Sequence, residues 1–244
     1  MLRAALLALS AILAVAYGAF GSSLYDGAPP YIVGTIFKAS GIIVLGAIAI
    51  WSAGAPAGQH QRLPARVPAV HNKLLAAGLL FGALGDALLA WSPDTFLYGA
   101  FAFLIGHLFY ITLFLRAGIG VGPAFKHPPR LIAAIALIIA AVVMTSLLVP
   151  RDNSMFAPLS IYTGVLTLMA LTSFTLPATR WLAMLGAVLF FISDGFVAAN
   201  LFHPLDDPTF AYWRSFAGWM IYWAGQAAIC FGALGLHKAE QEAT

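Results

Sequence analysis

The run Leu74-Leu75-Ala76-Ala77-Gly78-Leu79-Leu80-Phe81-Gly82-Ala83-Leu84-Gly85-Asp86-Ala87-Leu88-Leu89-Ala90-Trp91 is long enough to cross a bilayer, yet it holds a carboxylate. An ionised side chain at that depth costs at least about 2.5–3.5 kcal/mol, so Asp86 has to be held or used. A second stretch, Leu189-Phe190-Phe191-Ile192-Ser193-Asp194-Gly195-Phe196-Val197-Ala198, repeats the arrangement. The whole chain agrees with these two stretches. Its 244 residues are 61% hydrophobic and 9% charged, with a mean hydropathy of +0.91. Soluble domains carry about a quarter charged residues, so the composition indicates a single integral membrane domain over 1–244. Apolar runs of about twenty residues predict an all-α, polytopic bundle, because barrel strands are nearer ten residues and alternate strictly. The single cysteine, Cys230, excludes an internal disulfide and a multi-cysteine metal cluster. No basic run with interleaved aromatics points to nucleic acid as a partner.

Eight spans are predicted, at about 4–20, 31–51, 74–91, 96–115, 131–149, 157–176, 181–201 and 212–235. Turn signals such as Ser92-Pro93-Asp94, His127-Pro128-Pro129 and His203-Pro204 separate them. The longest joint, about 52–73, reads as a surface loop. The first span also fits a signal peptide, with Arg3, an apolar core and small residues near Gly18 to Ser22. Charge balance favours keeping it as a span. Counting joints alternately, one side collects Arg3, Arg62, Arg66, Lys73, Arg116, Lys126, Arg130, Arg180 and Lys238. The other has only Arg151 and Arg214, with Asp26, Asp94, Asp152, Asp206 and Asp207. That asymmetry predicts both termini on the cytoplasmic side, and a multi-pass protein of the bacterial inner membrane.

At 1.5 Å per residue, Asp86, Asp194 and Lys38 fall about 5 Å to the outer side of the midplane. His107 lies near the midplane and Gln226 slightly inside it. Five polar side chains from five spans sharing one slab predict one internal polar pocket. The helical stripes Gly78/Gly82/Asp86, Phe190/Asp194/Ala198, Gly218/Tyr222/Gln226 and Gly99/Phe103/His107/Tyr110 would face other helices, where small residues let backbones approach. Lys38 reads equally as an ion-pair partner for an aspartate or as a substrate contact. His107 reads as a hydrogen-bonded core residue or a functional one. Tyr222 and Gln226 fit interhelical hydrogen bonding. Only His107 of the six histidines is deep in a span, too few for a zinc site.

Residue by residue, the chain resembles the YhhN/TMEM86 family, whose characterised members are lysoplasmalogenases. The resemblance rests on Leu84-Gly85-Asp86 with Leu88-Leu89, and on Phe103-Leu104-Ile105-Gly106-His107-Leu108-Phe109-Tyr110. It continues through Tyr162, Met169, Gly186, Phe190-Phe191-Ile192-Ser193-Asp194 and Tyr222 to Gln226, with Lys38 in the second span. It runs in order from about residue 35 to 232 and departs at Gly195, where a small polar residue is commoner. The resemblance implies eight spans, no metal or organic cofactor, and a lysophospholipid substrate whose vinyl ether is hydrolysed. The products would be a fatty aldehyde and glycerophosphoethanolamine or glycerophosphocholine.

Such chemistry suits two aspartates. Vinyl ether hydrolysis starts with protonation of the carbon beta to oxygen and passes through an oxocarbenium ion. One carboxylic acid and one carboxylate meet those demands, as in glycosidases. Two acids close together in low dielectric do not both ionise, which divides the roles. The expected site is therefore Asp86 and Asp194 as the catalytic pair, with Asp194 as the acid and Asp86 ionised. Lys38, His107, Tyr110, Ser193, Tyr222 and Gln226 would bind substrate or support the pair. The alternative is a proton-coupled membrane transporter of a small or lipid-like solute, since intramembrane Asp, Lys and His serve such relays. Against it, no Gly/Pro interruption recurs at matching points of the two halves.

Overall fold

A computed structural model describes residues 2–20, 31–54 and 69–234. Its order is α1 (Leu2–Phe20), α2 (Ile32–Gly54), α3 (Ala69–Trp91), α4 (Phe96–Ala117), α5 (Val121–Phe125), α6 (Pro128–Leu148), α7 (Phe156–Ser173), α8 (Trp181–Phe202) and α9 (Pro208–Leu234). Short 3-10 turns at Pro93–Thr95 and Ala178–Arg180 lead into α4 and α8. The described residues contain no strand. The chain is an all-α, multi-pass membrane bundle. Its large apolar side chains face outward in rows, such as Ile132, Ile139 and Val142 on α6. Water would not tolerate such a surface, and hydrocarbon favours it.

Seven helices, α1 to α4 and α6 to α8, are long and apolar enough to cross a membrane. The eighth expected span, 212–235, is where expectation and structure part. It forms α9, the longest helix at 27 residues, but its composition falls short of that standard. The reason lies in its sequence: Tyr212, Trp213, Arg214, Tyr222 and Gln226 replace aliphatic residues. Much of it is buried against the other helices, so it is selected for protein contacts more than for lipid. It also starts earlier than expected. Asp207 Oδ1 accepts from the backbone N–H of Thr209 (2.8 Å) and Phe210 (3.1 Å), an N-cap that adds a turn. α7 stops at Ser173, short of the predicted 176. There the hydroxyls of Thr172, Ser173 and Thr175 donate to the carbonyls of Met169, Ala170 and Thr172, tightening the chain ahead of Pro177. The five-residue α5 lies in what the sequence marked only as a joint.

Two packing features set up the interior. First, α1 is tied into the bundle: Ser10 Oγ donates to the Gly41 carbonyl (2.7 Å), Trp219 Nε1 to Ala14 O (2.8 Å), and Trp223 Nε1 to Ser10 Oγ (2.9 Å). Second, α8 and α9 pack backbone to backbone. A Cβ on Gly186 would stand 2.6 Å from both Gly225 O and Ile229 N, so only glycine allows this approach. At the basic end, Arg130 Nη1 donates to Phe174 O (2.9 Å), satisfying a carbonyl at the end of α7. Arg62, Arg66, Lys238 and Asp26 lie outside the described residues, as does most of the 52–73 joint.

The close contact has a measurable consequence. Gly186→Val places carbon against backbone that cannot yield, and such overpacking costs about 1–3 kcal/mol or more. Thermal unfolding in detergent is expected to drop by several degrees. Gly164→Ala is the control: a Cβ there meets nothing within 4 Å, and its melting temperature is expected at or slightly above wild type, because alanine is the better helix former.

Candidate active site

Every long helix contributes to one cavity of about 750 Å³. Asp86 comes from α3 and Asp194 from α8, and both line it, with Lys38, Ser193 and Tyr222. Its volume lies in the range typical of small-molecule pockets. Phe96, Val149, Leu201 and Pro208 extend the lining toward the ends of α4, α6, α8 and α9. Those ends meet the acidic joints, the side predicted from charge to be outer. Both α3 and α8 run unbroken through their aspartates.

Each carboxylate accepts a hydrogen bond from a tyrosine on another helix. Tyr222 Oη donates to Asp86 Oδ2 at 2.7 Å. Tyr162 Oη donates to Asp194 Oδ2 at 2.5 Å. Behind each tyrosine stands a second donor. Gln226 Nε2 donates to Tyr222 Oη (3.2 Å), and Tyr110 Oη donates to Gln226 Oε1 (2.6 Å). On the other branch, His107 Nε2 lies 3.2 Å from Tyr162 Oη. That oxygen already gives its proton to Asp194, so Nε2–H of His107 is the donor and Nδ1 is left bare. Nδ1 is buried and has no partner. The result is two chains, Tyr110–Gln226–Tyr222–Asp86 and His107–Tyr162–Asp194, each ending on a carboxylate oxygen at the cavity.

The local sequence makes these chains possible. Gly82 sits one turn before Asp86, and a Cβ there would come within 2.8 Å of Gln226 Nε2. Glycine therefore opens the slot through which α9 lays its amide against α3. Tyr222 and Gln226 are one turn apart on α9, so one face presents both. Rings wall the space between the branches: Phe190 meets His107 and Tyr222 edge-on at centroid separations of 4.9 and 5.1 Å.

The eight residues expected from sequence thus divide. Asp86, Asp194, Lys38, Ser193 and Tyr222 line the cavity. His107, Tyr110 and Gln226 stand behind it as hydrogen-bond partners. Lys38 has its ammonium over the rings of Tyr17 (5.9 Å) and Trp219 (6.0 Å), a cation–π setting. Of its two readings, the direct ion pair is not formed among the described residues. Ser193 mainly serves its own helix: its Oγ donates to Phe190 O at 2.6 Å, and its contact with Asp194 is a long 3.5 Å. The residue missing from the expected set is Tyr162. It was visible only as part of the family resemblance, because a tyrosine in a membrane helix carries no cost that marks it out. Among the described residues, no three His, Cys, Asp or Glu side chains gather as a metal site.

Comparison with known proteins adds a lineage. A family model described as the YhhN family matches residues 33–233. That stretch contains all eight expected residues and Tyr162. A mouse protein named lysoplasmalogenase TMEM86B is 32% identical over 164 residues, which is 66% of this chain and 63% of that protein. The chain therefore matches less than two thirds of that relative's length. No solved structure matches.

The Tyr110–Gln226–Tyr222 chain is testable by a double-mutant cycle. Gln226→Leu strands the buried Tyr110 hydroxyl, which costs about 1–3 kcal/mol. Adding Tyr110→Phe removes the stranded group. The double variant is expected to melt at a higher temperature than Gln226→Leu alone, and additive losses would contradict the hydrogen bond.

Proposed function

The chain belongs to the YhhN family, and on that premise we propose that it is a lysoplasmalogenase-type hydrolase. It would cleave the vinyl ether of alkenylglycerophosphoethanolamine or alkenylglycerophosphocholine to a fatty aldehyde and the glycerophospho-head group. The observation that carries this reading is the pair of tyrosine-held aspartates from two helices facing one apolar cavity. The mouse relative's name supplies the reaction, and the residues supply a means.

In the proposed mechanism Asp194 is the acid. Tyr162 occupies its Oδ2 and leaves Oδ1 to carry a proton toward the substrate. Transfer of that proton to the carbon beta to the ether oxygen breaks the C=C π bond and leaves an oxocarbenium ion. Asp86, ionised and in the same cavity as the Lys38 ammonium, steadies the cation and takes a proton from the attacking water. The hemiacetal then collapses to aldehyde and alcohol, and the proton held by Asp86 returns to Asp194. The sum is vinyl ether plus water giving aldehyde plus alcohol, with no metal or organic cofactor in any step. Charge balance supports the division: one ammonium and one carboxylate cancel, so the second acid is best kept neutral in a low dielectric. Tyr162 and Tyr222 orient the acids, and His107 and Gln226 orient the tyrosines.

The same reading takes α9 as an eighth crossing, since 27 residues of helix span about 40 Å. Both termini then share the side of the basic joints, the cytoplasm of a bacterial inner membrane, and the whole chain is one membrane domain.

The test is aldehyde release from a lysoplasmalogen by purified protein in detergent, where a transporter has no second compartment to act across. Asp86→Asn and Asp194→Asn are each expected to lose at least about 100-fold in kcat, the usual range for removing an acid–base group, with melting temperatures near wild type. Tyr162→Phe is expected to retain part of the activity. Near-normal turnover in either Asn variant would sink the two-carboxylate scheme, and no aldehyde from wild type would sink the substrate.

A further inference from the structure

The cavity extends beyond the reacting pair, and its largely apolar far end carries one polar cluster. Six residues along α8 from Asp194, about 9 Å nearer the acidic joints, Asn200 lines the wall. Ser215 of α9 lines it too, and Asn200 Nδ2 donates to Ser215 Oγ at 3.2 Å. The carbonyl of Asn200 is engaged as well: Arg214 Nε donates to Asn200 Oδ1 at 2.6 Å. Arg214 is half-buried. Its Nη groups, with four N–H bonds, have no protein acceptor or ion-pair partner among the described residues. A guanidinium fixed by one nitrogen with its fork left open is pre-oriented for a planar, doubly accepting anion.

Its charge is also locally uncommon. The joints on this side carry Asp94, Asp152, Asp206 and Asp207 against Arg151 and Arg214. An anionic ligand reaching the cavity from this side needs a cation at the mouth. If the vinyl ether of a lysophospholipid lies between Asp86 and Asp194, its phosphate is one glycerol backbone away. The rise from Asp194 to Asn200 runs in that direction, and Arg214 stands against Asn200 just behind the cavity wall.

We propose that Arg214, held by Asn200 beside Ser215, binds the phosphodiester of the lysophospholipid and makes the site select phosphorylated over neutral glycerol ethers. This rests on the reading that the cavity takes a lysophospholipid, and it adds the residue that recognises the head group.

The experiment separates binding from turnover. Binding of a non-hydrolysable 1-O-alkyl lysophosphocholine and of 1-O-alkylglycerol is followed by tryptophan fluorescence in a non-ionic detergent, with Trp219 in the cavity wall as reporter. Arg214→Gln is expected to weaken the phospholipid about tenfold or more, the scale of a lost charge-assisted pair, and to leave alkylglycerol within about twofold. Arg214→Lys should fall between. Asn200→Ala, which frees Nε but keeps the charge, should give a smaller loss in the same ratio. Inorganic phosphate in tenfold excess is expected not to displace the lipid. Equal losses for both ligands, no loss for either, or displacement by inorganic phosphate would each overturn the proposal. Aldehyde release is scored separately. A wild type that makes no aldehyde but shows the Arg214-dependent preference refutes the hydrolase and keeps the head-group site. Normal hydrolysis with an unchanged preference in Arg214→Gln does the reverse.

Discussion

Two carboxylates inside a helix bundle have to receive hydrogen bonds from the protein, because hydrocarbon offers none. The bonds from Tyr222 to Asp86 and from Tyr162 to Asp194 meet that need. Each joins two different helices: the sequence-distant α9 and α3, and the consecutive α7 and α8. The requirement of two acids therefore fixes which helices surround the cavity. It also fixes the second layer, since each tyrosine hydroxyl that gives its proton away becomes an acceptor in turn. Gln226 and His107 fill that role from α9 and α4.

The glycines follow from the same constraint. Tyrosine hydroxyls and glutamine amides have fixed reach, so the backbones carrying them must come close. Gly82 admits the Gln226 amide to α3, and Gly186 brings α8 against α9, which carries Tyr222. Association in a membrane depends on such packing, because apolar side chains gain little by leaving lipid for protein. Small residues and buried polar groups thus act together: the first allow the approach, and the second fix its register.

The sequence disclosed what was expensive. Asp86, Asp194, Lys38 and His107 stand out in apolar runs because each has a high cost there, and the structure places the first three on the cavity and the fourth behind it. Tyr162 could not be found that way. Its ring suits a membrane helix, and its role depends on a partner 32 positions away. Ser193, adjacent to Asp194 in sequence, lines the cavity but turns its hydroxyl back to its own helix, a detail that adjacency alone does not show. The limits of α9 were blurred because the apolar pattern that marks a lipid-facing helix weakens in one packed mainly against protein. Its cap at Asp207, a local signal, would have set the start correctly.

That weakness in α9 is informative about how a polar cavity is assembled in lipid. A helix facing hydrocarbon on most sides can carry few hydrogen-bonding groups; Lys38, Asp86 and Asp194 come from α2, α3 and α8, and the more buried α9 brings a larger set of partners. α9 supplies Tyr222 and Gln226 to one acid, Trp219 to the Lys38 ammonium, and Ser215 to the cavity wall. The aromatic rings give it further latitude, since a ring face offers a buried cation partial compensation without adding another charge. Lys38 can then remain in the same cavity as Asp86 without being locked against it.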